Sequence, residues 1–230
     1  MERTTGNSSR ATSRSSAATR ERLLDAAEAL FAERGFTGTS LRAATERAGA
    51  NVAAVNYHFR SKEGLLRAVI TRAVGPMNQR RRQLLDKLEE DDTTPTIEQL
   101  VHAFVSTGIH LIPTPNETTD PTTAHHEHGE HTARFIGRVI SDPSPQMRTI
   151  FSDEVRDVEG RYKEAVIRAL PHLPRNEAVL RHTAMIGLLG LWQSGALLDL
   201  NPNENPSEDS PDTETRLITY LVAGFRAPAT

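Results

Sequence analysis

A group of side chains that could bind a polyanion lies between residues 40 and 62. Ser40 opens a short helix, so its hydroxyl and the free backbone N–H groups beside it can bind a phosphate. Arg42, in the first turn, can donate two hydrogen bonds to the edge of a guanine. Lys62 adds positive charge near the same surface. These residue types favour recognition of a nucleic acid.

A second group follows Asn51, which is a good N-cap for another short helix. Val52 and Ala53 can contact only thymine methyl groups or sugars, whereas Asn56 can bind an adenine edge or a phosphate. Helix capping, solvation or packing could equally explain several of these residues taken singly. The predicted DNA-contacting set is Ser40, Arg42, Asn51, Val52, Ala53, Asn56, Tyr57, His58 and Lys62, in which the Tyr57 and His58 side chains bind phosphate oxygens.

The run HHEHGEH at residues 125–131 is the other candidate for chemistry, because clustered imidazoles and carboxylates bind zinc or nickel. Its spacing fits neither common catalytic zinc motif, since Glu127 and Glu130 occupy the positions where a second histidine is needed. His128 and His131 could still share a helix face. We expect no cofactor and no metal site, with these two histidines as the weak candidates, and no enzyme, because no nucleophile–base pair is evident.

Charge is distributed unevenly along the 230 residues. Residues 1–87 contain 16 Lys and Arg against 8 Asp and Glu, whereas residues 88–230 contain 11 against 22, and the whole chain has a net charge of −3. Either the basic N-terminal part alone meets a polyanion, or the clustering is chance. The chain has no cysteine, which fits a reducing cytoplasm. The uncharged stretch 182–198 is too short to span a membrane and indicates a buried or interface helix.

Helical periodicity runs through almost the whole sequence and no segment alternates as a strand would, so we predict an all-α fold. A disordered basic arm is expected over 1–18, a helix-turn-helix domain over 19–66, and a larger helical domain over 67–230. Thr19, Thr94 and Asn176 are the expected N-caps of three helices. Arginines 80–82 are expected to face outward, and Pro76 to kink or break its helix. The predicted helices cover 19–34, 41–48, 52–59, 61–76, 77–90, 95–112, 127–140, 144–170, 176–200 and 212–225.

Two of these helices, joined by the tight turn Gly49-Ala50-Asn51, form a helix-turn-helix candidate. The residues expected to face inward are Leu41, Ala44, Ala48, Val55 and Phe59. The stretches LDAAEALFAERGF, TSLRAATERAG and VNYHFRSKEGLL, in this order, resemble the DNA-binding domain of the TetR family over about residues 19–66. Asn56 departs from the family pattern, which usually has tyrosine there. Ala44 is small for the apolar position near the middle of the second helix, and Ala53 stands where glycine or another small residue is usual.

The resemblance implies a homodimer that binds palindromic operator DNA and encloses a small-molecule effector among its middle helices. The mostly apolar lining would favour a lipophilic or aromatic effector. The pocket candidates are Phe104, Leu111, Phe135, Val139, Met147, Phe151, Val155, Tyr162, Met185 and Trp192. The last two helices are expected to form the dimer, unless they are buried within one subunit. The interface candidates are Val179, Leu188, Leu191, Leu198, Leu217, Leu221 and Phe225.

The predicted function is a ligand-responsive transcriptional repressor in which the effector changes the spacing of two recognition helices. Two rivals remain open at this point. One is a helical small-molecule-binding protein or enzyme with an incidental helix-turn-helix. The other is an activator of the same family.

Overall fold

A computed structural model describes residues 6–90, 93–109, 124–142, 144–194 and 213–229, with side-chain surroundings for 15–90, 93–109, 132–142, 144–194 and 214–229. These parts form nine helices and no strand, which confirms the all-α prediction. The helices are α1 Gly6–Gly38, α2 Leu41–Arg47, α3 Val52–Phe59, α4 Lys62–Leu88, α5 Ile97–Ile109, α6 Ala124–Ser141, α7 Pro145–Ala169, α8 Arg175–Gln193 and α9 Thr213–Arg226. Among these helices, none is both long enough and apolar enough to cross a bilayer.

Helix α1 begins much earlier than predicted and is interrupted at Gly35, where φ is +69°. Residues 6–18 are therefore helical, and the expectation of a disordered arm is wrong for them. Thr19 does not cap the helix, since its hydroxyl donates to the Ser15 carbonyl at 2.9 Å inside a continuous turn. The physical reason is that residues 7–18 contain neither glycine nor proline, so nothing stops the helical hydrogen bonding from extending backward.

Helix α4 continues through Pro76, although the sequence predicted a kink or break there. A proline removes one backbone hydrogen bond at a cost of about 3 kcal/mol. The buried residues on both sides of it, including Val74, Met77 and Leu85, keep the helix packed and offset that cost.

Arg81 is buried, which contradicts the prediction that arginines 80–82 all face outward. Its guanidinium lies 3.5 Å from the centre of the Phe104 ring and donates to the Phe104 carbonyl at 3.1 Å. Glu159 lies 3.4 Å away on α7. Periodicity assigned this side chain to solvent, but α5 and α7 cover that face of α4.

Two helix starts differ from the predicted caps. Helix α5 is capped by Thr96 rather than Thr94: the Thr96 hydroxyl accepts from the Gln99 N–H at 3.3 Å, and the Gln99 side chain accepts from the Thr96 N–H at 2.8 Å. This reciprocal capping box satisfies two backbone donors, which Thr94 could not do. Helix α8 starts after Pro174, so Asn176 lies inside its first turn and is not the cap. The predicted end of α8 at residue 200 lies outside the described residues.

Two hydrophobic cores stabilise the fold. The first joins α1–α3 and the first half of α4 to residues of α6 and α7, including Phe135, Val139 and Met147. The second joins the end of α4 to α5, α7, α8 and α9 around Phe104 and Tyr162. The predicted boundary at residue 66 is therefore not a gap in the packing, because the first core extends across it.

A buried carboxylate fastens the helix-turn-helix part to the rest of the chain. The Glu28 side chain, only 3% exposed, accepts from Arg72 of α4 at 2.7 Å and from the Thr132 hydroxyl of α6 at 2.5 Å. Arg72 also donates to Asp25 at 2.7 Å. Three helices thus share one polar node, so a shift of α4 or α6 acts directly on α1.

Candidate nucleic-acid interface

The turn between α2 and α3 has the geometry of a helix-turn-helix. Helix α2 ends one residue earlier than predicted, and α3 has the predicted bounds. Gly49 has a φ of +57°, a left-handed conformation that glycine adopts without strain. The Ala50 N–H then donates to the Thr45 carbonyl at 2.9 Å, which closes the turn.

The inner faces of both short helices pack as predicted. Ala44, Ala48, Val55 and Phe59 are buried in the first core, and Leu41 is half-buried against it. A close contact fixes α3 against α4, because a Cβ on Gly64 would lie 2.0 Å from the Phe59 carbonyl oxygen. Only glycine fits at that position. The outer face of α3 is therefore held in one orientation by its neighbours.

That outer face is exposed and combines polar and apolar groups. Tyr57 is 79% exposed and Val52 is 44% exposed, and Ala53 and Asn56 are also exposed. A tyrosine so far from any core is unusual, since its ring loses burial energy that an apolar neighbour would provide. The four side chains project from one side of α3, and a B-DNA major groove is wide enough to admit an α-helix.

The two predicted caps keep a free donor each. The Ser40 hydroxyl accepts from the Ala43 N–H at 3.0 Å, and the Asn51 side-chain oxygen accepts from the Ala54 N–H at 2.9 Å. Both residues therefore act as helix caps, which was the structural alternative for Ser40. Capping uses only acceptor atoms, so the Ser40 hydroxyl proton and the Asn51 amide can still donate to a phosphate.

The basic residues of the surface differ in how free they are. Arg42 donates to Glu46 at 2.8 Å, and both side chains are largely exposed. This ion pair raises the pKa of Arg42, so the guanidinium stays charged but must leave Glu46 to reach a base. The Lys62 ammonium lies 4.2 Å from the centre of the Phe36 ring, and its partial burial lowers its pKa. His58 is half-buried, with its ring 4.9 Å from that of Tyr57.

Sequence reasoning missed Arg60. It is exposed directly after α3 and has a φ of +68°, the only positive φ of a non-glycine residue in the described chain. A left-handed arginine costs about 1 kcal/mol or more. The feature of the sequence that could have identified Arg60 is its position between the recognition helix and the N-cap Ser61.

The predicted pocket residues do not line one cavity. Phe135, Val139, Met147 and Val155 are buried in the first core with Phe151 packed against it, whereas Phe104, Tyr162 and Met185 are buried in the second core. Trp192 is half-buried, and Leu111 lies outside the described residues. Two separate helix junctions bury these side chains, so the candidates are divided between the two cores and stay candidates.

The second core contains a polar cluster among its aromatic rings. The Phe104 ring centre lies 5.2 Å from that of Tyr162 and 5.8 Å from that of His182. His182 Nε2 faces Glu159 Oε2 at 3.6 Å, and both buried atoms lack a hydrogen-bond partner among the described residues. Burial raises the pKa of Glu159 to about 6 and lowers that of His182 to about 4.

The predicted dimer residues fall into two groups. Leu221 and Phe225 are buried inside the subunit, because α9 packs them against the second core, so they are not free to meet a partner. Leu191 is 42% exposed, and Val179, Leu188 and Leu217 are half-buried. Leu198 lies outside the described residues. Two further exposed apolar side chains were missed: Leu180 on α8 at 62% and Tyr220 on α9 at 69%.

The histidine-rich run lies at the start of α6, where the backbone is helical but the side chains of His128 and His131 fall outside the described residues. Among the residues whose side chains are described, no group of histidine, aspartate and glutamate is arranged to hold a metal ion.

Comparison with known proteins gives two family matches. Residues 23–69 match "Bacterial regulatory proteins, tetR family", and residues 119–224 match "Tetracyclin repressor-like, C-terminal domain". The curated protein "Probable HTH-type transcriptional regulator YttP" of Bacillus subtilis (strain 168) is 25% identical over 134 residues, 58% of this chain and 56% of that protein. The chain thus spans little more than half the length of this relative.

Two solved structures share the fold along most of both chains. SmeT, the repressor of the multidrug efflux pump SmeDEF of Stenotrophomonas maltophilia, is 24% identical with a TM-score of 0.55, covering 92% of this chain and 94% of its own. FadR of Bacillus subtilis in complex with stearoyl-CoA is 13% identical with a TM-score of 0.59, covering 89% and 98%. At these identities the likeness establishes the fold alone.

Proposed function

Because the chain belongs to the TetR family of bacterial regulatory proteins, we propose that it is a homodimeric repressor that leaves a palindromic operator when a small, mainly apolar effector binds. The observation that carries the DNA-binding part is the outer face of α3. Its side chains, Tyr57 above all, are solvent-exposed while its inner face is fixed by the core. A rigid helix with an exposed contact face is what readout in a major groove requires.

The side chains of this surface have different proposed roles, which follow from their chemistry. Ser40, Asn51, Tyr57 and His58 position the domain by donating to phosphates, which carries no sequence information. Arg42 and Asn56 read base edges, and Val52 and Ala53 contact thymine methyl groups. Lys62 supplies charge next to the groove and, like every phosphate contact, makes binding weaken with added salt.

The second core is the proposed effector site. It holds the aromatic rings of Phe104 and Tyr162 together with two buried polar atoms, on Glu159 and His182, that lack partners among the described residues. A buried polar atom without a hydrogen bond costs about 1–3 kcal/mol, and a ligand that supplies the bond recovers this energy. The expected effector is therefore an apolar or aromatic molecule with one hydrogen-bonding group.

Dimerisation is proposed to use the exposed side of α8 together with α9. Leu180 and Leu191 on α8 are 62% and 42% exposed to water, and Tyr220 on α9 is 69% exposed. Packing the two helices against their symmetry mates would form a four-helix interface and bury these side chains. The two copies of α3 must then meet successive major grooves, roughly 34 Å apart.

The effector is proposed to act through α4. Arg81 on α4 belongs to the effector cluster, and Arg72 on the same helix belongs to the Glu28 node that holds α1. A ligand that displaces this helix would change the spacing of the two recognition helices. The coupling must be reciprocal, so operator DNA would weaken effector binding by the same factor.

The test begins with selecting bound sequences from a random DNA pool and measuring affinity by fluorescence anisotropy at several salt concentrations. The proposal predicts a steep salt dependence and, for Arg42→Ala and Tyr57→Ala, a loss of about tenfold or more in affinity with the dimer intact. Arg148→Ala, an exposed arginine on α7, is the matched control and should bind normally. Normal binding by both variants would refute the contact assignment. No DNA binding at all would favour the alternative of a small-molecule-binding protein or enzyme with an incidental helix-turn-helix.

A compound found by thermal-shift screening then tests the effector part. It should weaken operator binding, and Tyr162→Phe should change the response without changing affinity for DNA alone. A bound compound that leaves operator affinity unchanged would refute release by effector while leaving DNA recognition intact.

A further inference from the structure

A wide groove lies on the outside of the larger domain, between α4, α5 and α9, with a volume of about 1190 Å³. Its floor is apolar. Met77 and Ala103 are buried, and Leu84, Leu88 and Ile218 are partly exposed to the groove. It is large enough for a drug-sized molecule, for which pockets of about 300–1,000 Å³ are usual.

Two cations line the α4 wall of this groove. Arg80 and Lys87 are seven residues apart, so they project from the same face of the helix and are separated by about 10 Å along its axis. Leu84 lies between them on that face. The arrangement places an apolar strip between two positive charges.

Both cations are unpaired within the described structure, unlike the other basic residues of this part of α4. Arg67, Arg72, Arg81 and Arg82 each have a carboxylate within 4.0 Å. Arg80 and Lys87 are exposed and form no ion pair with any described residue. Their charges are therefore available to a ligand.

The acidic residues of the groove lie on its other two walls, Glu98 on α5 and Glu214 on α9. Glu98 is held in an ion pair by Arg226 at the end of α9, and Glu214 is not free either. His102 lies exposed on the α5 wall, where it can add a donor but no permanent charge. The α4 wall of the groove is thus its positive side, because its two cations have no carboxylate partner among the described residues.

We propose that this groove binds a small amphipathic anion, a free carboxylate with an apolar chain or ring system. The carboxylate pairs with Arg80 or Lys87, and the apolar part covers Leu84, Leu88 and Ile218. The site goes beyond the proposed function, because the groove opens on the outer side of α4, α5 and α9, and none of Phe104, Tyr162 or His182 lines it. Thr107 stands between the groove and these residues, lining the groove while its hydroxyl accepts from Arg81 at 3.0 Å.

The test uses dodecanoate as the probe, with dodecyltrimethylammonium and dodecanol as matched controls of the same chain length. Isothermal titration calorimetry of the full chain, below the micelle concentrations, should detect dodecanoate binding that weakens with salt. The cationic control should bind at least about tenfold more weakly, because it meets two like charges.

Two single variants locate the site. Arg80→Gln and Lys87→Gln should each raise the Kd for dodecanoate by about three- to fivefold, the size expected for one exposed ion pair. Arg148→Gln removes an exposed arginine on α7 and should leave the Kd unchanged. Because Arg80 and Lys87 are exposed and unpaired, the variants should keep the wild-type melting temperature, which is measured alongside.

Equal dodecanoate affinity in wild type and both variants would overturn the proposal by placing the binding elsewhere, the effector core included. Absence of dodecanoate binding would also overturn it, as would equal binding of the cationic control. The protein could instead sediment with phosphatidylglycerol vesicles and not bind free dodecanoate. This result would indicate binding to a membrane surface and would likewise refute a site for a free anion. Failure here leaves the operator-binding test untouched.

Discussion

Replacing Thr132 by valine tests whether the polar node between α1, α4 and α6 is shielded from water, as its burial indicates. Valine has nearly the shape of threonine and a similar helix propensity, so the change removes one hydroxyl and little else. The Thr132 hydroxyl donates at 2.5 Å to Glu28, whose side chain is only 3% exposed. Glu28 keeps its bond from Arg72, so the loss concerns one of its two oxygens.

A buried acceptor left without its donor costs about 1–3 kcal/mol, and the ionised carboxylate puts Glu28 in the upper part of that range. We therefore expect Thr132→Val to lower the free energy of unfolding by about 2 kcal/mol. The assay is urea unfolding followed by circular dichroism at a fixed protomer concentration, because dimerisation shifts the apparent stability.

Thr71→Val is the matched control, because the Thr71 hydroxyl donates to the Arg67 carbonyl at 2.9 Å on an exposed face of α4. Its loss should stay within about 0.5 kcal/mol. The reasoning would be refuted if the two variants unfolded within about 0.5 kcal/mol of each other.

Three further predictions address packing, charge and assembly. Gly64→Ala should lose about 3 kcal/mol of stability in the same urea assay, because its Cβ would meet a backbone oxygen at 2.0 Å, whereas Gly75→Ala, with nothing within 4 Å, should gain up to about 1 kcal/mol. The contribution of neutral His182 to stability is complete above pH 6.5 and is lost as the pH falls toward its lowered pKa of about 4. Between pH 7 and pH 4, the free energy of unfolding of the wild type should therefore fall by about 3 kcal/mol more than that of His182→Gln. Protonated Glu159 has the opposite effect: its contribution to stability is complete below about pH 4.5 and is lost as the pH rises through its raised pKa of about 6. Equal losses of stability in wild type and His182→Gln would contradict the assignment to His182. Leu180→Glu should convert the dimer to a monomer in sedimentation velocity, and an unchanged dimer would exclude this face of α8.

The helix-turn-helix could be read from the sequence almost residue by residue. Its boundaries are set by local chemistry: the caps Ser40 and Asn51 and the left-handed Gly49 act within three or four residues of themselves. Its inner face follows from helical spacing alone. Exposure of Tyr57 could also be predicted, because its neighbours Val55 and Phe59 use the buried face.

The errors in burial involve contacts between distant segments, whereas the wrong start of α1 and the wrong caps of α5 and α8 are local. Arg81 was assigned to solvent because its own helix gives no sign that α5 and α7 cover it. Leu221 and Phe225 were assigned to a partner subunit because an apolar stripe does not say which surface buries it. The pocket candidates were grouped by residue type, but two separate cores divide them. Burial of Glu28 was not predicted, since its partner Thr132 lies 104 residues away.

The central claim is that the outer face of α3 lies in a DNA groove, and cysteine labelling tests it directly. The chain has no cysteine, so a single one can be introduced at exposed Ala53 of α3 or, as a control, at exposed Ser152 of α7. With the selected operator DNA bound, Ala53→Cys should react with a maleimide at least about tenfold more slowly than without DNA, while Ser152→Cys should react at the same rate. Equal rates at Ala53→Cys with and without saturating DNA would contradict the account.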